Sequence, residues 1–442
     1  MGFMKQLQRP LLQRPLAAAL AVVFASAATA WADTSIVDHG AVGDGEQINT
    51  AAIQKAIDAL SKQGGGRLVV PEGVFKSGAL FLKQGVELHL EQGAVLQGSG
   101  DIDDFPTRMT RIEGKVQPWR PALINAEGLK RVAVTGAGVL DGAGRPYWAA
   151  FWKRRAENRK CTNLEVERPR LMYIDDCDGV TVSGIRLKDS GFWNLHVYRC
   201  RNVLLQGLVI TAPHGDPPKI SGDDQPWDEV SIDRAPSSDG IDVDSCQGVT
   251  IRCCIISVGD DCIALKGTKG PLALEDESSP PVENVVVEDC DFQSGHGVLT
   301  CGSEATLVRN VVVRNCRVGP AIPVVRLKLR PDTPQLYENL TFEDLKLDGA
   351  QSLFDVKPWT QFFDLQGHEP PTSTVRNVVL RRVSGSLATL GDLRGNDGDT
   401  LQNITLQQVE VTARQDRLRT GQIDNLLLLD VSVNGRAFQP ED

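Results

Sequence analysis

One short pattern recurs along most of this chain and restricts the folds that it can adopt. Each copy begins with Asn or Gly, continues with apolar residues at alternate positions, and has an apolar residue or Cys five positions after the first apolar one. The copies are GVTVSGIRL (179–187), NVLLQGLVI (202–210), GVTIRCCII (248–256), NVVVEDCDF (284–292), NVVVRNCRV (310–318), NLTFEDLKL (339–347), NVVLRRVSG (377–385), NITLQQVEV (403–411) and NLLLLDVSV (425–433). Alternation with a period of two indicates β-strands, and Asn or Gly at the corners indicates turns.

The spacing of the copies predicts how the strands assemble. Val285, Val311 and Leu340 are 26 and 29 residues apart. A single coil of this length cannot bury its own apolar face, whereas stacked coils share one core. The sequence therefore predicts an all-β fold, a single-domain right-handed parallel β-helix. Leucine-rich repeats would need a Leu-x-x-Leu-x-Leu frame, which is absent, and propeller blades need longer units.

A stack of coils exposes its ends, so a cap is expected. Residues 49–60 (NTAAIQKAIDAL) predict an N-terminal capping helix, with Ile53, Ala56, Ile57 and Leu60 on one apolar face. Two longer segments interrupt the repeat, at about 145–170 and at 213–236. Such insertions are either tolerated surface loops or walls of a binding cleft, and the sequence leaves both open.

The first 32 residues have the features of a secretory signal peptide. A basic start is followed by an apolar run from Leu16 to Ala28 and by Ala30-Trp31-Ala32, a cleavage site of the A-x-A type. We expect cleavage near Ala32, export to a periplasm or the medium, and a mature domain of residues 33–442. No later segment is apolar enough to cross a membrane.

Charge and cysteine content limit the partners of this chain. The net charge of −10 and the pI of about 5.3 argue against nucleic acid as a partner. Ten cysteines permit disulfides in an exported protein, but they lack C-x-x-C spacing and several occupy matching repeat positions. Stacked buried thiols and disulfide bridges both remain open, and we expect a monomer without a metal or cofactor.

Alignment of the strands by their inward residues brings several polar residues together. If Ile241, Ile263 and Val298 share one core position, then Asp239, Asp261 and His296 share another just before the strand. Asp260 is the direct neighbour of Asp261, and parallel strands are about 4.8 Å apart. This register predicts three carboxylates and an imidazole on one face.

Basic residues follow on the next coil. In IPVVRLKLRPD (322–332), alternation places Val325, Leu327 and Leu329 inward and Arg326, Lys328 and Arg330 outward. Crowded carboxylates raise the pKa of at least one of them, which supplies a proton donor beside an ionised base. Hydrolysis of a glycosidic bond needs that pair of groups, and the cations suit an anionic sugar.

Four motifs in order make the chain, from about Ser35 to its end, resemble glycoside hydrolase family 28, the polygalacturonase family. SDG with Asp239 stands where that family has Asn-Thr-Asp, and GDD contains Asp260 and Asp261. GHG contains His296, and RLK with Arg326 and Lys328 stands where the family has Arg-Ile-Lys. Each motif alone is weak, whereas the ordered set is specific.

The resemblance implies an inverting hydrolase of pectin that needs no metal. Asp260 would be the general acid, and Asp239 and Asp261 would hold and deprotonate the water. His296 would tune the protonation of the acid or touch the sugar. The substrate uronate would bind to the two cations of the RLK motif, Arg326 and Lys328.

Two departures from the family pattern concern substrate contacts. Ser237 replaces an Asn that usually contacts sugar, and the late Tyr of the family has no secure match near 352–365, where Trp359 and Phe362 stand instead. The retained His296 favours polygalacturonan over the rhamnose-alternating backbone of pectin. The 213–236 insertion would favour exo action if it blocked one end of the cleft.

Two other classes of function fit the same architecture. A calcium-dependent pectate lyase would use Asp239, Asp260 and Asp261 as oxygen ligands for Ca²⁺. A non-catalytic β-helix would only bind polysaccharide. Several side chains also have open roles at this stage: Trp193 and His196 as packing or substrate contacts, and Lys266 as a residue beside the site.

Overall fold

The repeated segments form the coils of a right-handed parallel β-helix, as predicted. The structure is a computed structural model that describes residues 33–216 and 232–440. The predicted signal peptide (1–32) and most of the 213–236 insertion lie outside the described residues. The strands follow one another on three faces, and each strand pairs in parallel with the strand one coil away.

The repeat copies form the most regular face. Val285 pairs with Val311 and Val311 with Leu340, and Val378 pairs with Ile404 and Ile404 with Leu426. The strands of this face are β1 (Thr34–Ser35), β3 (Gly66–Val70), β6 (Val86–Leu90), β11 (Lys130–Gly136), β14 (Asp178–Ser183), β17 (Arg201–Gln206), β20 (Gln247–Arg252), β23 (Val282–Glu288), β26 (Leu307–Arg314) and the first parts of β29 (Leu336–Pro358), β30 (Thr374–Leu393), β31 (Thr400–Thr420) and β32 (Ile423–Val433).

The second face carries shorter strands that complete each coil. It consists of β2 (Asp44–Ile48), β4 (Gly73–Ser77), β7 (Ala94–Gly98), β12 (Val139–Asp141), β15 (Arg186–Lys188), β18 (Val209–Thr211), β21 (Ile255–Ser257), β24 (Asp291–Ser294), β27 (Arg317–Val318) and later parts of β29 to β32, with β33 (Arg436–Ala437) antiparallel to β32.

The third face carries the candidate site. It consists of β5 (Leu80–Phe81), β10 (Ile124–Glu127), β13 (Met172–Asp175), β16 (Leu195–Tyr198), β19 (Ile241–Asp244), β22 (Ile263–Lys266), β25 (Leu299–Cys301), β28 (Pro323–Leu329) and the last parts of β29 to β31. Outside the three faces, β8 (Arg108–Ile112) and β9 (Lys115–Trp119) form an antiparallel hairpin.

The corner residue that begins many copies is Asn because the backbone there is left-handed. Asn310, Asn339 and Asn377 all have φ of 58°, a conformation that Asn tolerates better than other residues with a Cβ. Their side chains also form a ladder: Nδ2 of Asn339 donates to Oδ1 of Asn310 (3.1 Å), and Nδ2 of Asn377 donates to Oδ1 of Asn339 (2.9 Å).

The predicted cap is present as helix α1 (Thr50–Lys62), with its four expected apolar residues buried. Asn49 precedes the helix, and its side-chain oxygen accepts from the backbone N–H of Val42 (2.7 Å). The first insertion contains helix α2 (Arg145–Glu157), which buries Trp148, Phe151 and Trp152. Neither helix has the length and apolar composition needed to span a membrane.

All ten cysteines are free thiols, and nine of them are buried. Cys177, Cys200 and Cys246 follow one another on successive coils, and the backbone N–H of Cys200 donates to Sγ of Cys246 (3.2 Å). Of the two alternatives that the sequence left open, the structure has the stacked thiols.

Candidate active site

The register of β19, β22 and β25 decides which polar residues meet. Ile241 pairs with Ile263, as predicted, so Asp239 and Asp261 are level on neighbouring coils. The prediction for the next coil was wrong by one residue, because Leu299 and not Val298 pairs with Ile263. His296 is therefore level with Asp260, and its backbone N–H donates to the Asp260 carbonyl (2.9 Å).

The shift by one residue also changes which side chains of β25 face the core. Placing Val298 at the core position would have turned Thr300, two residues later, inward as well, but Thr300 does not enter the core. Its hydroxyl lies on the cleft side and donates to Oδ1 of Asp261 (2.8 Å), while Leu299 and Cys301 occupy the core positions.

The three predicted acids are close neighbours. One oxygen atom from each of Asp239, Asp260 and Asp261 lies within 4.8 Å of the other two. Asp239 and Asp261 are almost completely buried, whereas the side chain of Asp260 is 30% exposed. Like charges this close do not all ionise freely, so their titrations are linked.

Asp261 is surrounded by cations from β28. Lys328 Nζ lies 2.7 Å from Oδ2, and Arg326 Nη1 donates to Oδ1 (3.1 Å) and to the carbonyl of His296 (2.9 Å). Burial alone would raise the pKa of Asp261, but Lys328 and Arg326 outweigh it and hold this pKa below its usual value. Asp261 is ionised.

Asp239 has the opposite electrostatic balance. Its Oδ2 lies 3.3 Å from Nζ of Lys266, whose side chain is buried. Burial nevertheless raises the pKa of Asp239 to about 7, because the charges of Asp260 and Asp261 add to the cost of ionising it and Lys266 offsets only part of that cost.

Asp260 contacts the imidazole of His296. Nδ1 of His296 lies 3.1 Å from Oδ1 of Asp260. Burial would raise the pKa of Asp260, but His296, Lys328 and Arg326 together hold it well below its usual value. On the other side of the ring, Arg234 Nη2 lies 3.1 Å from Nε2, a contact that suits a neutral imidazole with its proton on Nδ1.

The proposed binding residues Arg326 and Lys328 both line the cleft, whereas Arg330 does not. Arg330 is buried and forms an ion pair with Asp332 (Nε to Oδ1, 2.8 Å). Alternation had placed Arg330 outward with Arg326 and Lys328, but this ion pair holds it away from the cleft.

The cleft has a volume of about 500 Å³, and sequence reasoning missed much of its wall. Glu113, at the tip of the β8–β9 hairpin, accepts from Nδ2 of Asn163 (3.1 Å). Lys269 lies between Glu113 and Glu304, 3.7 Å from the first and 3.3 Å from the second. No recognisable motif surrounds these residues. Glu113 and Asn163 belong to segments that the repeat does not predict.

The residues whose roles the sequence left open lie in two places, the cleft and the layer beneath it. Trp193 lines the cleft with its ring 4.4 Å from Lys266 Nζ, whereas His196 is fully buried. Beneath Asp239 lies Asp242, whose two carboxylate oxygens have no hydrogen-bond partner in the described part of the chain. Lys266 Nζ is 3.4 Å from Asp242 Oδ1 and 3.9 Å from Glu304 Oε2, so with Asp239 one ammonium serves three buried carboxylates.

The residues that depart from the family pattern, Ser237, Trp359 and Phe362, all line the cleft. The Ser237 hydroxyl accepts from Arg168 Nη2 (3.3 Å) and is nearly buried. Trp359 and Phe362 line the cleft, and the Trp359 ring is 5.0 Å from Lys328 Nζ. These aromatic residues occupy the wall where the sequence lacked a matching Tyr.

The acidic cluster has the spacing of a cation site, but its electrostatic surroundings oppose one. Asp239 and Asp261 are already paired with Lys266, Lys328 and Arg326. A divalent ion would have to displace these cations or accept their repulsion.

Comparison with known proteins places these residues in a sequence family. The model of glycosyl hydrolases family 28 matches residues 61–426. An exo-poly-α-D-galacturonosidase from Dickeya chrysanthemi is 28% identical over 89% of this chain and 70% of its own length. A probable polygalacturonase from Vitis vinifera is 34% identical over 52% of this chain, and the match spans 44% of that protein.

Solved structures show the same architecture. An exopolygalacturonase from Thermotoga maritima superimposes with a TM-score of 0.70 and 26% identity, over 90% of this chain and 92% of that one. A polygalacturonase from Erwinia carotovora, at 19% identity, superimposes with a TM-score of 0.68 over 90% of this chain and 97% of its own. At that identity the second likeness is evidence for the fold alone.

Proposed function

The chain belongs to family 28 of the glycosyl hydrolases, and on that premise we propose that it hydrolyses the α-1,4-galacturonosidic bonds of pectin. The observation that carries the proposal is the cluster of Asp239, Asp260 and Asp261 within 4.8 Å, next to Arg326 and Lys328. The acids supply proton transfer, and the two cations suit the carboxylate of a galacturonate unit.

Asp260 is the general acid in this proposal. It is the most exposed of the three acids, so it is the one that a leaving oxygen reaches. In the free protein its pKa is held low by His296, Lys328 and Arg326. A bound uronate competes for the charge of Lys328 and Arg326, which raises the pKa of Asp260 toward that of a proton donor.

Asp239 and Asp261 hold and activate the water. Asp261 is ionised, and Asp239 takes up the proton that the water loses, for which its pKa of about 7 is suited. Inverting enzymes usually separate their carboxyl groups by roughly 6.5–9.5 Å. The cluster here is tighter, so the proposed inversion rests on family membership.

A product profile tests the substrate and the stereochemistry. Purified protein is incubated with polygalacturonan and, separately, with rhamnogalacturonan, and the sugars are resolved by size over time. We expect cleavage of polygalacturonan, with the β-anomer as the first product in an NMR time course. Ultraviolet-absorbing products and loss of activity with a chelator would instead indicate a calcium-dependent lyase.

Exo action is a second candidate, favoured by the wall that α2 and residues 162–164 build along the cleft. The Dickeya and Thermotoga relatives are both exo-acting by name. In the same time course, release of a single short product from the start would support exo action, and a ladder of oligomers would support endo action.

The proposed substrate is extracellular, which agrees with export of the protein. We propose that residues 1–32 direct export to the periplasm or medium and are removed near Ala32. N-terminal sequencing of the protein from culture fractions tests this, and an intact leader on active protein would contradict it.

A further inference from the structure

The cleft contains one cation that, among the described residues, is not paired with an acid. Five Lys and Arg side chains line it, and four are paired with acids: Lys266, Lys269, Arg326 and Lys328. The fifth is Arg155, on helix α2 of the first insertion. In residues 33–216 and 232–440 it forms no ion pair with an acid, and its Nη1 donates to the Cys161 carbonyl (2.8 Å).

Helix α2 holds Arg155 on a rigid support. Trp148 Nε1 donates to the Ser190 carbonyl (2.8 Å), and Trp152 Nε1 donates to the Arg234 carbonyl (2.9 Å). These buried rings attach the helix to the coils. A guanidinium has five N–H donors, so the bond to Cys161 leaves others for a ligand.

The wall beside Arg155 is continuous with the end of the cleft where Ser237 lies. Arg155 binds the carbonyl of Cys161, and residues 162–164 follow along the cleft. The carbonyl of Asn163 accepts from Arg168 Nη2 (3.2 Å), which also donates to Ser237. Arg168 thus joins the wall of residues 162–164 to Ser237.

We infer that Arg155 binds the carboxylate of a second galacturonate unit, next to the one held by Arg326 and Lys328. The inference rests on the proposed function, since polygalacturonan carries a carboxylate on each sugar. An unpaired guanidinium forms a bidentate contact with a carboxylate. Arg155 is thus a specificity residue for an unesterified neighbour of the cleaved sugar.

Kinetics with trigalacturonate test this role, with a matched control on the same helix. Arg154 is the adjacent residue but is paired with Glu165 (2.7 Å). We expect Arg155→Gln to raise KM for trigalacturonate about 10-fold or more with kcat within about 3-fold, and Arg154→Gln to stay within about 2-fold of wild type in both. Inhibition by the monosaccharide galacturonate, which needs only the Arg326 and Lys328 position, should change less than about 2-fold.

Arg155→Lys separates binding from folding, because it keeps the charge but not the bidentate geometry. We expect its KM to lie between those of wild type and Arg155→Gln. If wild-type protein cleaves polygalacturonan and Arg155→Gln has an unchanged KM, the inference is wrong and the proposed function stands. If wild-type protein does not cleave it, the proposed function itself fails.

Discussion

The imidazole of His296 lies over the carboxylate of Asp260, with Nδ1 3.1 Å from Oδ1, and the two residues are also joined by a backbone hydrogen bond of 2.9 Å. Burial would lower the pKa of His296, but the Asp260 carboxylate raises it above its usual value. The titrations of the two groups are therefore linked, and their contact favours an ionised Asp260 beside His296.

Replacing Asp260 by Asn should reduce kcat by roughly 10³-fold or more, because the amide cannot donate a proton to the leaving oxygen. The fold should be unaffected, since the side chain is partly exposed and nearly isosteric. Initial rates on polygalacturonan measure the effect. Asp348→Asn, an exposed acid paired with Arg317, is the control and should match wild type. Wild-type turnover in Asp260→Asn would remove Asp260 from the mechanism.

Replacing Lys328 by Ala should lower kcat/KM by roughly 100-fold, the effect of losing about 2–3 kcal/mol of charge-assisted contact. Lys357 is the matched control, because it pairs in register with Lys328 one coil away but is half-exposed and lies outside the cleft. Steady-state kinetics on polygalacturonan compare the two. An equal effect of Lys357→Ala would point to a general loss of charge and not to a specific contact.

The sequence predicted the coils well because the apolar residues at matching positions of the repeat are buried on successive coils. The one-residue error at His296 has a specific cause. The residue before the paired core position is buried on three successive coils, at Cys262, Val298 and Val324. Two consecutive buried positions permit two registers, and alternation alone cannot choose between them.

The sequence predicted the site residues that belong to motifs but not those that belong to insertions. Asp239 and Asp261 followed from the repeat, whereas Glu113 and Arg155 come from segments with no counterpart on other coils. Their positions depend on packing of α2 and the β8–β9 hairpin against the stack. Glu304 lies just after a core strand but has no repeat partner that would mark it as part of the cleft.

The asparagine ladder predicts a difference between two substitutions at Asn339. Alanine loses both ladder hydrogen bonds and must hold φ of 58°, which costs roughly 1–2 kcal/mol. Glycine loses the same hydrogen bonds without the conformational cost. Thermal unfolding should therefore give a lower midpoint for Asn339→Ala than for Asn339→Gly, and both should lie below wild type. Equal midpoints would show that the left-handed corner adds nothing to the choice of Asn.

Asp239 should make the protein less stable as pH rises. Its pKa is about 7 in the folded protein and about 3.9 in an unfolded chain, so the folded state binds the proton more tightly. The resulting stability is complete below pH 4 and is lost as pH rises through 7, by up to about 4 kcal/mol.

Asp239→Asn should reduce the fall in unfolding free energy between pH 4 and pH 8, measured by urea denaturation, while abolishing activity. Asp348→Asn should retain the wild-type pH dependence. An unchanged slope in Asp239→Asn would mean that Asp239 is ionised throughout this range and that its pKa is not raised in the folded protein.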